Sequence, residues 1–479
     1  MISAGSSSGF LGFLGVPRSV VAVAITFLSV VSLQCRKAEG IAENPIDAEA
    51  EEAFVEYLRL DTTVPPGNET AGATYLRDLL VKNGISATLV GDDPARRGVY
   101  ARLDSQSTQP ALLLLSHIDV VPAEKAHWRN PPFEGKREGG YIWGRGAIDN
   151  KSLTIAHVMS LLDLKRRGAR LSRDVVFLAV PDEERGGLRG TKLLLDTQPR
   201  LFDRVGFVLN EGGSNETVID RVTFWGIEVQ QKVPLWLRIN TEAAGGHAAG
   251  LREQRGATMK LVRALTAIDA LETPYRLVDD VARIAAVAAP MRRNRRAAGL
   301  RLLRAPLDVA RVERDASIDE KALLRDTIAV TQLSARGSVN VMPSRAFGEV
   351  DIRLLPGTRA EEMLARVQEA VGDEANVEVI LAGEPVPPSS IETELYATLA
   401  RVLRNAAPGS SVAPTVGLGT TDSRFFRARG ITAYGIAPFK LNAYDAEGVH
   451  GDNERIRARF FSDGVALMRT IVREFCEQK

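Results

Sequence analysis

A chain of 479 residues is longer than one hydrophobic core organises and implies two or three domains. Its 45% hydrophobic and 25% charged residues are ordinary for a globular protein, and a net charge of +1 excludes a global pull toward nucleic acid or anionic lipid. The two cysteines, Cys35 and Cys476, stand at opposite ends of the chain, which excludes a disulfide framework.

Along the chain, the first feature is an apolar run from Val20 to Leu33 that follows Arg18. It reads as a signal-peptide core or as a retained anchor helix that attaches the chain to a membrane; Gln34 before Cys35 makes the lipoprotein processing pattern a loose one. Either reading starts the folded part near Asn44, outside the cytoplasm. The spacing of Phe54, Tyr57 and Leu58 predicts a helix from Asp47 to about Leu60, and TTVPPGNET is a turn-rich break. ATYLRDLLVKNG predicts a second helix stopped by Gly84. The runs ISATLV, GVYARL, ALLLLSHI and DVVFLAV are strand-like, and the last two lack alternation, as in strands buried on both faces of a parallel sheet. KSLTIAHVMSLLDLKRRG lies between those two as an amphipathic helix, so strand, helix and strand follow one another as in an α/β fold.

After Gln231 the pattern becomes strand, helix, strand, strand, helix, strand: VPLWLRI, MKLVRALTAIDAL, TIAVTQLSA, AFGEVDIRLL, EEMLARVQEAVG and NVEVILA. The predicted layout is an N-terminal segment 1–43 and a larger domain formed by 44–230 and 384–479. Between its halves lies a small domain, 231–383, carrying a helical insertion at 273–325, a candidate for shaping a substrate pocket. RRNRRAAGLRLLR (292–304) is dense in arginine but interleaves no aromatic residue, so it reads as a solvated helix face; no nucleic-acid partner is expected.

The residues that carry chemistry sit just past apolar runs or in glycine-rich segments, where a sheet presents its loops. They are His117 and Asp119 in SHIDVVP, Asp149 in GRGAIDNK, Glu183 and Glu184 in PDEERGG, Glu211 in NEGG and His450 in VHGDNE. Imidazoles and carboxylates without a thiolate suit zinc and related divalent ions. His117 follows four leucines and also reads as a hydrogen-bonded core residue, but Asp119 offers a carboxylate that can take the ring's other proton. Asp149 precedes a helix and can cap it, bridge two ions, or do both. Glu183 and Glu184 form either an ordinary acidic loop or a pair in which one binds metal while the other faces the reaction. His450 stands in a polar loop where core packing does not explain it. His247, in GGHAA, is a third histidine of interest, while His127 and His157 read as structural.

These motifs occur in order over about residues 50–475, together with W-x-x-P-P-F at Trp128 to Phe133, SVNVMPSRA, DIR and GTTDSRF. The set resembles the aminoacylase/carboxypeptidase family of two-zinc metallopeptidases, which includes glutamate carboxypeptidase, acetylornithine deacetylase and succinyl-diaminopimelate desuccinylase. It is most similar to the carboxypeptidase S-like branch. The resemblance implies an α/β catalytic domain with a mostly parallel central sheet and helices on both faces, plus an inserted ferredoxin-like α+β domain for lid and dimerisation roles. It implies two Zn2+ per chain, replaceable by Co2+ or Mn2+, with His117 and Glu211 on one ion, Glu184 and His450 on the other, and Asp149 bridging. Glu183 is then the general base and Asp119 the orienting partner of His117. His247 is the oxyanion donor, and Asn340, Arg353, Thr420 and Thr421 reach the substrate. In dimeric relatives the His247 equivalent serves the neighbouring subunit, so a homodimer through the inserted domain is expected. GLGTTDSRF departs from the more usual double-glycine start of its loop.

The implied reaction is hydrolysis of an amide bond next to a free carboxylate, in an N-acyl amino acid or a short peptide. Arg353 alone also reads as a salt-bridging strand residue; the resemblance favours a bidentate clamp on that carboxylate. Two alternatives share the chain: a deacetylase, desuccinylase or N-carbamoyl amidohydrolase on the same site, and a non-catalytic binding or dimerisation module. The second requires damaged ligands, and none is visible.

Overall fold

Leu112 to Leu115 are all fully buried, the mark of a strand covered on both faces. The computed structural model describes residues 45–249, 256–288 and 305–478. The N-terminal segment 1–43, with Cys35, and the arginine-rich stretch 292–304 lie outside the described residues. An N-terminal unit runs to Ala48, and the chain from Glu49 onward forms one compact unit. Helix α1 (Pro45–Leu58) is followed by α2 (Glu69–Lys82), β1 (Ala87–Val90), β2 (Gly98–Leu103), β3 (Ala111–His117), α3 (Lys151–Arg166), β4 (Val175–Val180), β5 (Val205–Asn210), β6 (Ser214–Val218) and β7 (Arg221–Gln231). The small domain contributes β8 (Val233–Glu242), α4 (Ala257–Asp269), β9 (Thr327–Ala335), β10 (Arg345–Leu354), α5 (Ala360–Val371) and β11 (Asn376–Ala382). The chain then returns as α6 (Glu394–Ala406), β12 (Ser411–Gly417), β13 (Thr432–Gly435) and α7 (Ala458–Cys476).

The main sheet has the order β1-β2-β4-β3-β5-β13-β7-β12, with β6 beside β7. Its centre, β4-β3-β5-β13, is parallel. Helix α3 crosses over between β3 and β4, packs on both strands and meets α7. On the opposite face Leu113, Leu115, Val176 and Leu178 join Leu194, Phe202 and Phe426 from three short helical segments. A parallel block covered in this way exposes only its strand ends, so polar residues gather there.

Helix α2 starts at Glu69, a turn before the apolar periodicity of the sequence begins at Ala73. Glu69 is fully buried and ion-paired with Arg96 at 2.7 Å, so a long-range partner defines that end. The small domain is an antiparallel sheet, β9-β10-β8-β11, in the expected strand and helix sequence. Alternate residues Leu235, Leu237, Ile239, Val350 and Ile352 face α4 and α5 through Leu261, Leu265, Met363 and Val367.

The helical insertion behaves differently from the expectation. Val281, Ala285, Val312 and Leu324 pack on Phe224 of β7 and Ala413 of β12, so it covers the far edge of the main sheet. Among the described residues none from 273–325 lines the cavity at the strand ends. Edge coverage removes an unpaired apolar border, which explains an apolar insertion at this point in the chain.

Candidate metal centre

Three strand ends and two further loops converge at the carboxyl edge of the parallel block. His117 ends β3, Glu183 and Glu184 follow β4, and Glu211 follows β5; Asp149 stands just ahead of α3, and His450 lies in the loop before Arg455. His117 Nε2 is 3.1 Å from Asp149 Oδ1 and 3.4 Å from Glu211 Oε2. His450 Nε2 is 3.2 Å from both Asp149 Oδ2 and Glu184 Oε2. Asp149 thus offers one oxygen to each imidazole, and each imidazole has a carboxylate of its own. Capping does not describe it, because Asn150 occupies the cap position and donates to Glu211 Oε2 at 2.8 Å.

Local geometry is held from behind. The His117 Nδ1 sits 2.9 Å from the backbone carbonyl of Asp119 and 3.7 Å from its carboxylate, so the carbonyl, rather than the expected side chain, orients the ring. The Asp119 carboxylate instead accepts the backbone N–H groups of Glu183 and Glu184 at 3.2 and 3.0 Å, because the β4 loop folds over it. That loop turns through Asp182, whose positive φ of 73° is stabilised by its oxygens accepting from Arg96 and from the N–H of Arg189, each at 2.9 Å. Gly187 must be glycine: its φ is +66°, and a Cβ there would lie 2.0 Å from Asp422 Oδ1.

Electrostatics follow from crowding five ionisable groups around one half-buried aspartate. Burial and the charge of Glu211 push the Glu183 carboxyl well up; burial raises Glu211 as well. For Asp149 burial is outweighed, and the imidazoles of His117 and His450 hold its carboxyl far below the usual range. Hydrogen bonds to Asp149 and Glu184 lift His450 to about 10. Such a set fits divalent cations. Glu184 Oε1 is buried with no hydrogen-bond donor, a state that costs free energy unless a cation meets it. The ligand atoms of His117, Asp149 and Glu184 lie within 4.8 Å of one another, as do those of His117, Glu183 and Glu211.

A cavity of about 860 Å³ opens over these groups. Asp149, Glu183, Glu184, Glu211 and His450 line one side, Trp236, Asp351 and Arg353 of the small domain the other, and Val121, Pro122, Leu418, Ile436, Phe439 and Leu441 give it an apolar wall. Arg353 reaches the cavity but is held side-on by Asp351, with contacts of 2.7 and 2.9 Å. Residues two apart on a strand share a face, so the salt-bridging reading describes this arrangement. Thr420 and Thr421 also line the cavity, and their hydroxyls donate to Lys232 O at 3.2 Å and Gln231 Oε1 at 3.1 Å, tying their loop to the start of the small domain.

His247 and Asn340 are brought together elsewhere. His247 pairs with Val341 in a two-stranded ribbon, the N–H of Ala248 donates to Asn340 O at 2.9 Å, and both residues are exposed outside the cavity lining. Sequence reasoning passed over several buried supports. Glu228 borders the cavity, Asp422 accepts from the Thr191 hydroxyl at 2.6 Å, and Glu454 is ion-paired with Arg145 at 2.7 Å. Arg145 and Glu454 both lie inside motifs quoted above, but their pairing across 309 residues leaves no local signal.

The family model of the peptidase family M20/M25/M40 matches residues 113–474. Mouse (Mus musculus) aminoacylase-1 is 27% identical over 86% of this chain and 92% of its own length. N-fatty-acyl-amino acid synthase/hydrolase PM20D1 of Xenopus tropicalis is 30% identical over 72% and 68%. Among solved structures, an M20 family metallo-carboxypeptidase from Sulfolobus solfataricus shares the fold with a TM-score of 0.70 at 19% identity, over 89% of this chain and 99% of its own. Human carnosine dipeptidase 1 does so with 0.67 at 18%, over 90% and 97%. The convergence of these side chains on a matching fold and a match over most of the chain lead to one conclusion: the protein belongs to the peptidase family M20/M25/M40.

Proposed function

We propose that the protein hydrolyses an amide bond next to a free carboxylate, in N-acyl amino acids with an apolar acyl group or in short peptides, using two zinc ions. One observation carries this reading: the carboxylate of Asp149 presents its two oxygens to two separate imidazoles, each backed by a further carboxylate. His117 and Glu211 would hold one ion, His450 and Glu184 the other, and Asp149 both. When bound, the ions polarise the scissile carbonyl and make an attached water acidic near neutral pH.

The chain's own groups do the rest. Glu183, on the cavity wall beside His117 and Glu211, takes the proton of the attacking water on its carboxylate and hands it to the departing nitrogen. Arg353 receives the substrate carboxylate by exchanging Asp351 for it, so binding replaces one ion pair with another. The wall formed by Leu418, Phe439 and Leu441 takes the acyl chain, in keeping with the N-fatty-acyl substrates named for the Xenopus relative. His247 and Asn340 serve the cavity of a second copy in a homodimer. Exposed Val330 and Leu333 on edge strand β9, with Val341 on the ribbon, favour an interface there. The N-terminal segment would direct the enzyme out of the cytoplasm.

Assays with a panel of N-acyl amino acids of increasing chain length, dipeptides and N-carbamoyl amino acids, on the zinc-loaded enzyme, test this reading. Turnover is expected to rise with acyl length. Activity confined to carbamoyl compounds would overturn the substrate assignment.

A further inference from the structure

Glu454 lies four residues beyond His450 and is fully buried. Its Oε1 accepts from the backbone N–H groups of Ile148 and Asp149 at 2.7 and 3.0 Å. Its Oε2 accepts from the N–H of Gly146 at 2.8 Å and from Arg145 at 2.7 Å. The same guanidinium donates to the carbonyl of Gly451, the residue after His450, at 2.8 Å. Four donors on two oxygens saturate the carboxylate and explain how a buried charge is tolerated here. The backbone adds a further tie, from the N–H of Gly144 to Glu454 O at 3.0 Å. One side chain therefore grips the segment that delivers Asp149 while its own loop, through Arg145, delivers His450.

We propose that Glu454 is a positioning residue that sets the separation of Asp149 and His450 and so builds the second of the two cation positions. The proposal rests on the two-ion reading above. The other position depends less on this clamp, because His117 and Glu211 come directly from the ends of β3 and β5. Outer partners that orient ligands commonly change metal affinity about 10- to 100-fold when altered.

Glu454→Gln leaves the volume nearly unchanged but turns an NH2 group toward N–H donors, which removes two of the four hydrogen bonds. Arg145→Lys keeps a cation beside Glu454 and gives up the second arm to Gly451. The experiment titrates metal-free wild type and both variants with Zn2+ calorimetrically and with Co2+ by visible absorption, and records their unfolding curves.

Wild type is expected to take two equivalents. Each variant should bind the second at least about tenfold more weakly and the first, which shares Asp149 but keeps His117 and Glu211 on their strand ends, with a clearly smaller loss. If Glu454→Gln does not fold, Arg145→Lys decides alone. Wild-type affinity for both equivalents in the variants overturns the role of Glu454, as does equal weakening of both together with lowered stability. A wild-type chain that takes a single equivalent overturns the two-ion reading and the proposal with it.

Discussion

Helix α3, whose first turn follows Asp149, carries a fully buried imidazole at His157. Neither of its ring nitrogens has a hydrogen-bond partner in the protein, and burial pushes its pKa down to about 3. An unfolded chain titrates near 6.5, so between these values the unfolded state binds a proton that the native state refuses. Stability therefore rises with pH and is lost as pH falls from about 6.5 toward 3. At pH 5 the loss relative to pH 8 is about 2 kcal/mol, the free energy of about 1.5 units at 1.36 kcal/mol each. Replacing His157 by Met removes this dependence along with two buried polar atoms that lack partners, each costing about 1–3 kcal/mol. His157→Met should match or exceed wild-type stability at pH 8 and gain about 2 kcal/mol more on it by pH 5. Urea unfolding of both proteins at the two pH values, compared as differences so that the site carboxylates cancel, measures the effect. A wild-type-to-variant difference that does not change with pH would refute the reasoning, because the imidazole would then be protonated or hydrogen-bonded in the native state.

Other predictions concern the site. Glu183→Ala should keep both metal equivalents while kcat falls about 10²- to 10⁴-fold. Loss of an equivalent on metal analysis would make Glu183 a ligand instead. His117→Ala and His450→Ala should each lower metal content, measured by mass spectrometry on dialysed protein, and retention of two equivalents would exclude ligation. Arg353→Lys should raise KM for carboxylate-bearing substrates more than it lowers kcat, since a planar fork is lost while the charge stays. Steady-state kinetics on acid and amide forms of one substrate separate these effects. Co-expressed His247→Ala and Glu183→Ala chains, each inactive alone, should recover activity as mixed dimers, and none would return if His247 acts within its own chain.

The sequence disclosed those parts of the fold whose signal is local. Unbroken apolar runs in β3 and β4, the helix between them, and the alternation in β8 and β10 each report burial on their own. Most of the candidate ligands were readable for the same reason: His117, Glu183, Glu184 and Glu211 follow recognisable strands and Asp149 precedes a helix, whereas His450 stands in a polar loop. Features made by distant segments were not legible. The insertion's docking on β7 and β12, the Arg145–Glu454 pair and the preference of His117 for a carbonyl over a carboxylate depend on which segments become neighbours. Side-chain type and spacing do not encode this. His247 and Asn340 show another limit, since their roles were implied by resemblance and a single chain keeps them outside the cavity lining.

The central claim is that Asp149 joins two cations. X-ray diffraction at the zinc absorption edge from zinc-loaded crystals tests it most directly. Two anomalous peaks are expected about 3.5–4 Å apart, each about 2.0–2.2 Å from an Asp149 oxygen, one beside His117 and Glu211 and the other beside His450 and Glu184. A single peak, or two that do not share Asp149, would contradict the claim.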